Sequence, residues 1–390
     1  MLVGHTTLIS GDGPLQVGRG PVRTGVTVVL PRGFSSAPVF AGYYALNGNG
    51  EMTGTIWVEE SGLLEGPIGL TNTHSVGVVR DAIIAWQVRR SVAGSGVVRP
   101  GIQWSLPVVA ETYDGGLNDI NGQHVKPEHV FAALDSAGAG PVEEGAVGGG
   151  TGMRCFGYKG GIGTASRRLD LYQGSYVLGA LVQANFGRAA ALTIAGVRVG
   201  TEMPGPGLTH ETDVPPGAGS VIVVVATDAP LLPHQLKRLT RRVPLALARL
   251  GGAGEHGSGD IFIAFSTANP NAGEMHALQA IEMLPSDSMT PLFDATVQAT
   301  EEAVLNALVA ARTMTGINGN TAHALPHDRV VSAGPPIEQD AEVACAHHKF
   351  PLPGRLSCWA GVGSPAFESS GLVPDSAGLV RTWAGQAPSP

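Results

Sequence analysis

The order of elements along the chain predicts an α+β fold with helices packed over extended sheets. Three observations carry this. Short strand patterns dominate the first third, the longest helical pattern comes late, and strands and helices alternate around residues 220–312. The 56 glycines follow no Gly-X-Y period, so they fit many tight turns between short strands rather than a collagen-like chain.

Residues 1–110 read as β-rich, with strands expected at 26–30, 39–44 and 55–58 between Gly, Pro and Asn turns. A short helix is expected at 128–135, and residues 141–164 are glycine-dense. The runs 176–186 and 220–227 are long, apolar and β-branched, as buried strands are. Asp228 and Pro230 open a helical pattern over 231–250, which Pro244 should kink or interrupt. Residues 261–265 form a further apolar strand pattern. In 292–312, Leu292, Val297, Val304, Leu308 and Ala311 fall close to one stripe of a helix. From about residue 331 to 390 the chain is rich in Pro, Gly, Ala and Ser without periodicity, which reads as a loosely ordered tail. One domain over residues 1–330 is therefore expected.

Composition narrows the function. Charged residues make up 14% of the chain and the formal net charge is −8, which argues against nucleic acid or anionic lipid as partner. Lys237, Arg238, Arg241 and Arg242 lie in one helical pattern and read as a solvated face. The N-terminal residues have neither a basic nor an apolar signal region, so a cytoplasmic protein is expected. No apolar run approaches the roughly 18 residues of a membrane span. Three cysteines (Cys155, Cys345, Cys358) do not make a disulfide framework. His347 and His348 lie near Cys345 and Cys358, but the spacing is not that of paired zinc ligands. A metal site there is therefore not expected. Neither Gly148–Gly152 nor Lys159–Gly163 has the Gly-Lys-Ser/Thr ending of a phosphate loop, so both read as turns or close backbone approaches.

Gly257-Ser258-Gly259-Asp260 opens the 261–265 strand. Taken alone it reads as a turn before a strand. It is also a place where a chain could cut itself and leave Ser258 as a new N-terminus. Such a serine carries a nucleophilic hydroxyl and, in its own α-amine, a base. That amine has an unperturbed pKa of about 7.7–8.0, so part of it is neutral at ordinary pH. No Gly-x-Ser-x-Gly elbow occurs at a strand-to-helix turn, which leaves a Ser-His-Asp triad without its usual setting. Glu111, Tyr113 and Asp114 follow the apolar run 106–110, where loop residues and site residues are both common. A carboxylate there could hold a substrate ammonium. Asn185 ends the run 177–184; its amide could cap a turn or donate to an oxyanion. Thr300, Glu301 and Glu302 lie on the late helix, where acidic residues are usually solvated, and Thr300 sits four residues before Val304 and so can point inward.

Together these stretches resemble the β-aminopeptidase family, also called L-aminopeptidase/D-esterase. The resemblance runs from about Val3 to about Asp328. It is carried by residues 20–25 (GPVRTG), 45–54 (ALNGNGEMTG), 71–77 (TNTHSVG), 111–115 (ETYDG) and 160–166 (GGIGTAS). It continues in 182–187 (VQANFG), 226–234 (ATDAPLLPH), 257–268 (GSGDIFIAFSTA) and 299–303 (ATEEA).

The resemblance implies a four-layer αββα sandwich similar to N-terminal-nucleophile hydrolases but with different connectivity. It implies a precursor that cuts itself between Gly257 and Ser258 into residues 1–257 and 258–390, which stay associated as α and β chains and assemble into larger oligomers. Small peptides, amides and esters are the implied substrates, β-amino acids among them, and no metal or organic cofactor is implied. Ser258 matches the nucleophile, Asn185 the oxyanion donor, Tyr113 a tyrosine supporting the tetrahedral intermediate, and Glu111 the acceptor of the substrate's amino group. Thr300 and Glu302 match the hydroxyl and carboxylate that orient the serine and its amine, with Glu301 as the alternative carboxylate. Two positions depart from the pattern: His256 stands where asparagine is expected, and Gly116 where an aromatic is expected. An acyltransferase using the same acyl-enzyme, or an uncut non-catalytic homologue, are the alternative functions.

Overall fold

Two sheets stacked face to face carry the chain, in a computed structural model that describes residues 1–333 except 36, 95–103, 204, 209–218 and 274–276. The strands are β1 (Leu2–Ser10), β2 (Val22–Leu30), β3 (Val39–Gly48), β4 (Leu63–Leu64), β5 (Ile68–Asn72), β6 (Val108–Thr112), β7 (Arg154–Cys155), β8 (Tyr158–Lys159), β9 (Gly161–Leu171), β10 (Gly174–Asn185), β11 (Gly219–Thr227) and β12 (Ser258–Ser266). The helices are α1 (Thr55–Ser61), α2 (Val76–Gly94), α3 (Pro127–Asp135), α4 (Val199–Glu202), α5 (Pro233–Thr240), α6 (Val243–Arg249), α7 (Thr290–Ala310) and α8 (His327–Ala333).

The first sheet runs β1-β2-β5-β6 and the second β4-β3-β12-β11-β10-β9. Every residue of β2, β5, β6 and β12 is buried, which is why these strands read as continuous apolar runs rather than alternating ones. Between the sheets, Val29, Ile68, Leu70 and Val108 meet Leu181, Ile222, Ile263 and Phe265. Outside the first sheet, Val79, Ile83 and Trp86 of α2 and Val130 and Leu134 of α3 cover Val26, Val28 and Leu30. Outside the second, α5, α6 and α7 place Leu236, Leu239, Leu247, Leu292 and Leu308 against Val182, Val223 and Phe262. The layers are therefore αββα, as the family resemblance implies. The two parallel pairs, β5–β6 and β11–β12, are joined by helical crossovers, α2 in the first and α5–α6 in the second. Helix α7 lies very close on β9, because a Cβ on Gly163 would stand 1.9 Å from the Ala303 carbonyl oxygen. Its buried face carries Ala295, Ala299, Ala303 and Ala307, small enough for that approach.

Some expectations are corrected. Residues 55–58 are the start of α1, not a strand. Gly54 and Gly62 bracket the helix at φ 73° and 72°, and only Val58 is buried while Ile56 is 86% exposed. β-branched composition suggested a strand, but one buried residue in a turn is a helical pattern. The β-rich reading of residues 1–110 also missed α2, although Val76, Val79, Ile83 and Trp86 already recur at helical spacing. The basic cluster on α5 and just after it is not simply solvated. The Arg238 and Arg242 guanidinium groups lie 5.0 and 3.8 Å from the Phe293 ring centroid, and Lys237 pairs with Glu59. Pro244 acts as expected: α5 ends at Thr240, and Pro244 sits in the first turn of α6, where its missing N–H does no harm. Helix α8 runs across the expected start of the tail. Residues 334–390, with Cys345, His347, His348 and Cys358, lie outside the described residues.

Candidate active site

Ser258 is the first residue of β12, the strand held between β11 and β3 near the middle of the second sheet. The entry is crowded. A Cβ on Gly259 would lie 2.5 Å from the Asn49 carbonyl oxygen and 2.7 Å from the Gly50 Cα, so only glycine lets the strand pass the end of β3. Side chains two apart on a strand share a face, and Ser258 Oγ donates to Asp260 Oδ1 at 2.6 Å. Ser258 is 1% exposed. Burial pushes the Asp260 carboxyl up to about 6, and the bond from Ser258 opposes the shift. The Ser258 N–H donates to the Glu255 carbonyl at 2.9 Å, closing a tight turn over the Gly257–Ser258 bond. Two asparagines at the end of β3 grip that turn. Asn47 Nδ2 donates to the Glu255 carbonyl, and Asn49 Nδ2 donates to the Gly257 carbonyl at 3.0 Å.

Glu111 lies near the end of β6, paired with Thr71 of β5. Its Oε1 accepts from the Glu51 N–H at 3.0 Å and its Oε2 accepts from the Thr73 hydroxyl. Burial holds its carboxyl above the usual range, against those two hydrogen bonds. A Cβ on Gly50 would be 3.2 Å from Glu111 Oε1 and 3.0 Å from the Gly259 Cα. The carboxylate of the first sheet and the strand entry of the second therefore converge on one glycine.

Asn185 ends β10. It pairs with Ser220 of β11, which in turn pairs with Gly259 of β12, so it lies level with the strand entry. Its Nδ2 donates to the Tyr113 carbonyl at 3.0 Å, and its Oδ1 accepts from the Arg154 N–H at 2.8 Å. One amide hydrogen is thereby fixed, and among the described residues the second has no hydrogen-bond partner. The Tyr113 ring is folded back over Gly115, where a Cβ would be 2.3 Å from Tyr113 Oη. At Gly116, the expected aromatic position, a Cβ would already touch Leu208 Cδ1 at 3.0 Å and approach Arg154 Nε at 3.4 Å, so the space is taken by those two side chains.

Thr300, Glu301 and Glu302 sit in the middle of α7. Thr300 points inward as expected and is fully buried, and among the described residues its hydroxyl has no hydrogen-bond partner. Glu302, two residues on, faces the other way: its carboxylate pairs with Arg167 at 2.6 Å and is 45% exposed. Glu301 pairs with Arg249 at 2.8 Å. Among the described residues no hydrogen bond or ion pair joins any of these three to Ser258. The fold thus gathers Ser258, Glu111, Asn185 and the Tyr113 backbone, and gives the α7 carboxylates arginine partners.

Several residues of this region have no role assigned to them by the sequence. The two-residue spacing of Ser258 and Asp260 in a strand pattern was a usable signal; the grip of Asn47 and Asn49 depends on a register that only folding sets. Lys159, weighed only as part of a phosphate loop, is fully buried and donates to the Met153 and Gly160 carbonyls at 2.7 and 2.8 Å. Burial pushes it down to about 7. Asp114, also buried, accepts from Asn118 Nδ2 at 3.0 Å and is pushed up to about 7 by desolvation. A cavity of about 300 Å³ opens beside Ser258 and Asp260, walled by Leu46, Phe186, Leu245 and Leu247. Among the described residues no group of three or more His, Cys, Asp or Glu could hold a metal ion, and no helix is long and apolar enough to cross a membrane.

Comparison with known proteins gives concordant matches. The sequence pattern of peptidase family S58 matches residues 1–322. The β-peptidyl aminopeptidase BapA of Sphingosinicella microcystinivorans is 55% identical over 337 residues, covering 83% of each protein. The enzyme of the same name from Sphingosinicella xenopeptidilytica is 46% identical over 341 residues, covering 84% of this chain and 83% of its own. The solved L-aminopeptidase D-Ala-esterase/amidase of Ochrobactrum anthropi, described as a variant of the Ntn hydrolase fold, superposes with a TM-score of 0.78 at 45% identity. That match covers 85% of this chain and 90% of the other.

Proposed function

From the premise that the chain belongs to peptidase family S58, we propose that it is a serine aminopeptidase which cuts itself between Gly257 and Ser258 and then uses Ser258 as an N-terminal nucleophile on peptides, amides and esters. The observation that carries this reading is the convergence at Gly50, where the Glu111 carboxylate reaches the entry of β12 that Ser258 opens.

In turnover, Ser258 Oγ attacks the carbonyl that follows the substrate's first residue. Its proton passes to the freed Ser258 α-amine and on to the departing amine. Asn185, anchored at both ends of its amide, donates its remaining hydrogen to the oxyanion, with Tyr113 supporting the same intermediate. The Glu111 carboxylate receives the substrate ammonium, which confines the enzyme to a chain's first residue. Thr300 and Glu302 are carried as the pair orienting the serine and its amine. In the uncut chain Glu302 is held by Arg167, so this role requires that carboxylate to change partners. The cavity walled by Leu46, Phe186, Leu245 and Leu247 offers an apolar seat for a substrate side chain. Residues 1–257 and 258–390 stay together after the cut, because β12 is hydrogen-bonded on both edges to strands of the first piece.

The test is intact mass spectrometry of the denatured parent and of Ser258→Ala, followed by assay on aminoacyl amides and their N-acetylated counterparts. Two fragments meeting at Gly257–Ser258, one chain in the variant, and hydrolysis of only the free-amine substrates are expected. A single chain in the parent would refute the self-processing reading.

A further inference from the structure

A chain that uses an α-amine as its base has no such base before it is cut. In the uncut chain the Ser258 nitrogen is an amide, and its N–H is spent on the Glu255 carbonyl. Some other group must take the hydroxyl proton in the first reaction this serine performs. The geometry points to a self-cleavage apparatus separate from the turnover groups, in which Asp260 is the base for Ser258 Oγ and Asn49 is the donor to the Gly257 carbonyl oxygen. This inference rests on the reading that the chain is cut at Gly257–Ser258.

Three observations support it. Among the described residues the only hydrogen bond of Ser258 Oγ runs to Asp260 Oδ1, at 2.6 Å, between two buried side chains. Asn49 Nδ2 already lies 3.0 Å from the oxygen of the scissile carbonyl, where negative charge develops on attack. Asn47, two residues earlier on the same strand end, holds the Glu255 carbonyl, so the turn carrying the scissile bond is clamped at both ends. Asn185, by contrast, is occupied by Tyr113 and Arg154, and among the described residues no hydrogen bond joins it to Gly257. Desolvation makes Asp260 a stronger base than an ordinary carboxylate while leaving it ionised at neutral pH.

The steps balance without a co-reactant other than water. The Ser258 hydroxyl proton moves to Asp260 Oδ1 as Oγ bonds to the Gly257 carbon, and Asn49 holds the resulting oxyanion. Protonated Asp260 returns the proton to the Ser258 nitrogen as the carbon–nitrogen bond breaks. The chain is then joined by an ester between Gly257 and Ser258 Oγ. Water adds to the ester, leaving a carboxylate on Gly257 and a hydroxyl on Ser258. The freed α-amine then takes over as base.

The test is cell-free synthesis of the full chain, with the intact and cut species followed over time by intact mass. Asp260→Asn is expected to slow cutting by at least about 100-fold, the scale of a lost general base, and Asp260→Glu to restore part of the rate. Asn49→Ala is expected to slow cutting by about 10²–10³, the scale of one lost oxyanion donor. Both should melt near the temperature of the uncut Ser258→Ala protein. Cutting at the parental rate in Asp260→Asn and Asn49→Ala would overturn the inference. If Asp260→Asn does not fold, Asn49→Ala decides alone, since that side chain is exposed and its loss leaves the core intact. An uncut parent would instead refute the self-processing reading beneath it.

Discussion

The side-chain amide of Asn185 donates to the main-chain carbonyl of Tyr113 at 3.0 Å, tying the last residue of β10 in the second sheet to the loop that leaves β6 in the first. The bond fixes the amide plane, which is what an oxyanion donor needs before any substrate arrives.

Asn185→Ala is therefore expected to lower kcat by about 10²–10³ with a smaller change in KM. Asn185→Asp should do no better, because it sets a carboxylate oxygen against the Tyr113 carbonyl. Steady-state kinetics on an aminoacyl amide separates the two parameters. A change confined to KM would remove Asn185 from the transition state.

Glu111 gives a pH prediction with two signs. Burial raises its carboxyl above the ordinary 4.5. In its proposed role at the substrate ammonium Glu111 acts in the ionised form, so kcat/KM should climb with pH through that raised value. Stability runs the other way: the folded state holds a proton that the unfolded state has lost, so this contribution falls as pH rises from 4.5 through the folded value. Glu111→Gln should raise KM for free-amine substrates. It should also flatten the thermal stability profile over that window, as differential scanning calorimetry at stepped pH would show.

Lys159 carries the opposite sign. Buried and pushed down from 10.5 to about 7, it binds fewer protons folded than unfolded between those values. Stability should rise with pH across that range as the cost of the buried charge disappears. Asp114, pushed up from 3.8 to about 7, contributes a fall below neutrality and nothing above it. Lys159→Met is expected to abolish the alkaline rise. Urea unfolding at pH 6.5 and 9.5 checks it.

Much of this architecture was readable from residues. The buried strands β10, β11 and β12 announce themselves as apolar runs because both of their faces are covered. The break between α5 and α6 follows from Pro244 alone. Helix α1 was misread because Thr55, Ile56 and Val58 are β-branched, and what makes it a helix is a pair of left-handed glycines whose backbone the sequence does not display. Of the candidate site, the Ser258 motif, Glu111 and Asn185 stand out from the residues. That they meet is implied only by the family resemblance, since the meeting depends on β3, β6 and β12 arriving at Gly50 from three distant parts of the chain. The partners of Glu301 and Glu302 were hidden for the same reason: Arg249 and Arg167 lie on α6 and β9, and nothing local to α7 foretells them.

The position of β12 has a consequence for the life history of the molecule. Its two neighbours, β3 and β11, both precede Gly257, and the turn at Glu255–Ser258 that opens β12 is gripped by Asn47 and Asn49 from the end of β3. On the proposed self-processing, cutting at this turn is a one-way record that folding has brought those strands together. Once made, it turns a unimolecular folding problem into a bimolecular one. A mature enzyme that is denatured and diluted has to find its other half again, at a rate that falls with concentration, whereas an uncut Ser258→Ala chain carries both halves on one tether. The cut form proposed here would endure by the slowness with which a strand leaves the middle of a sheet, not by the ease with which it can be rebuilt.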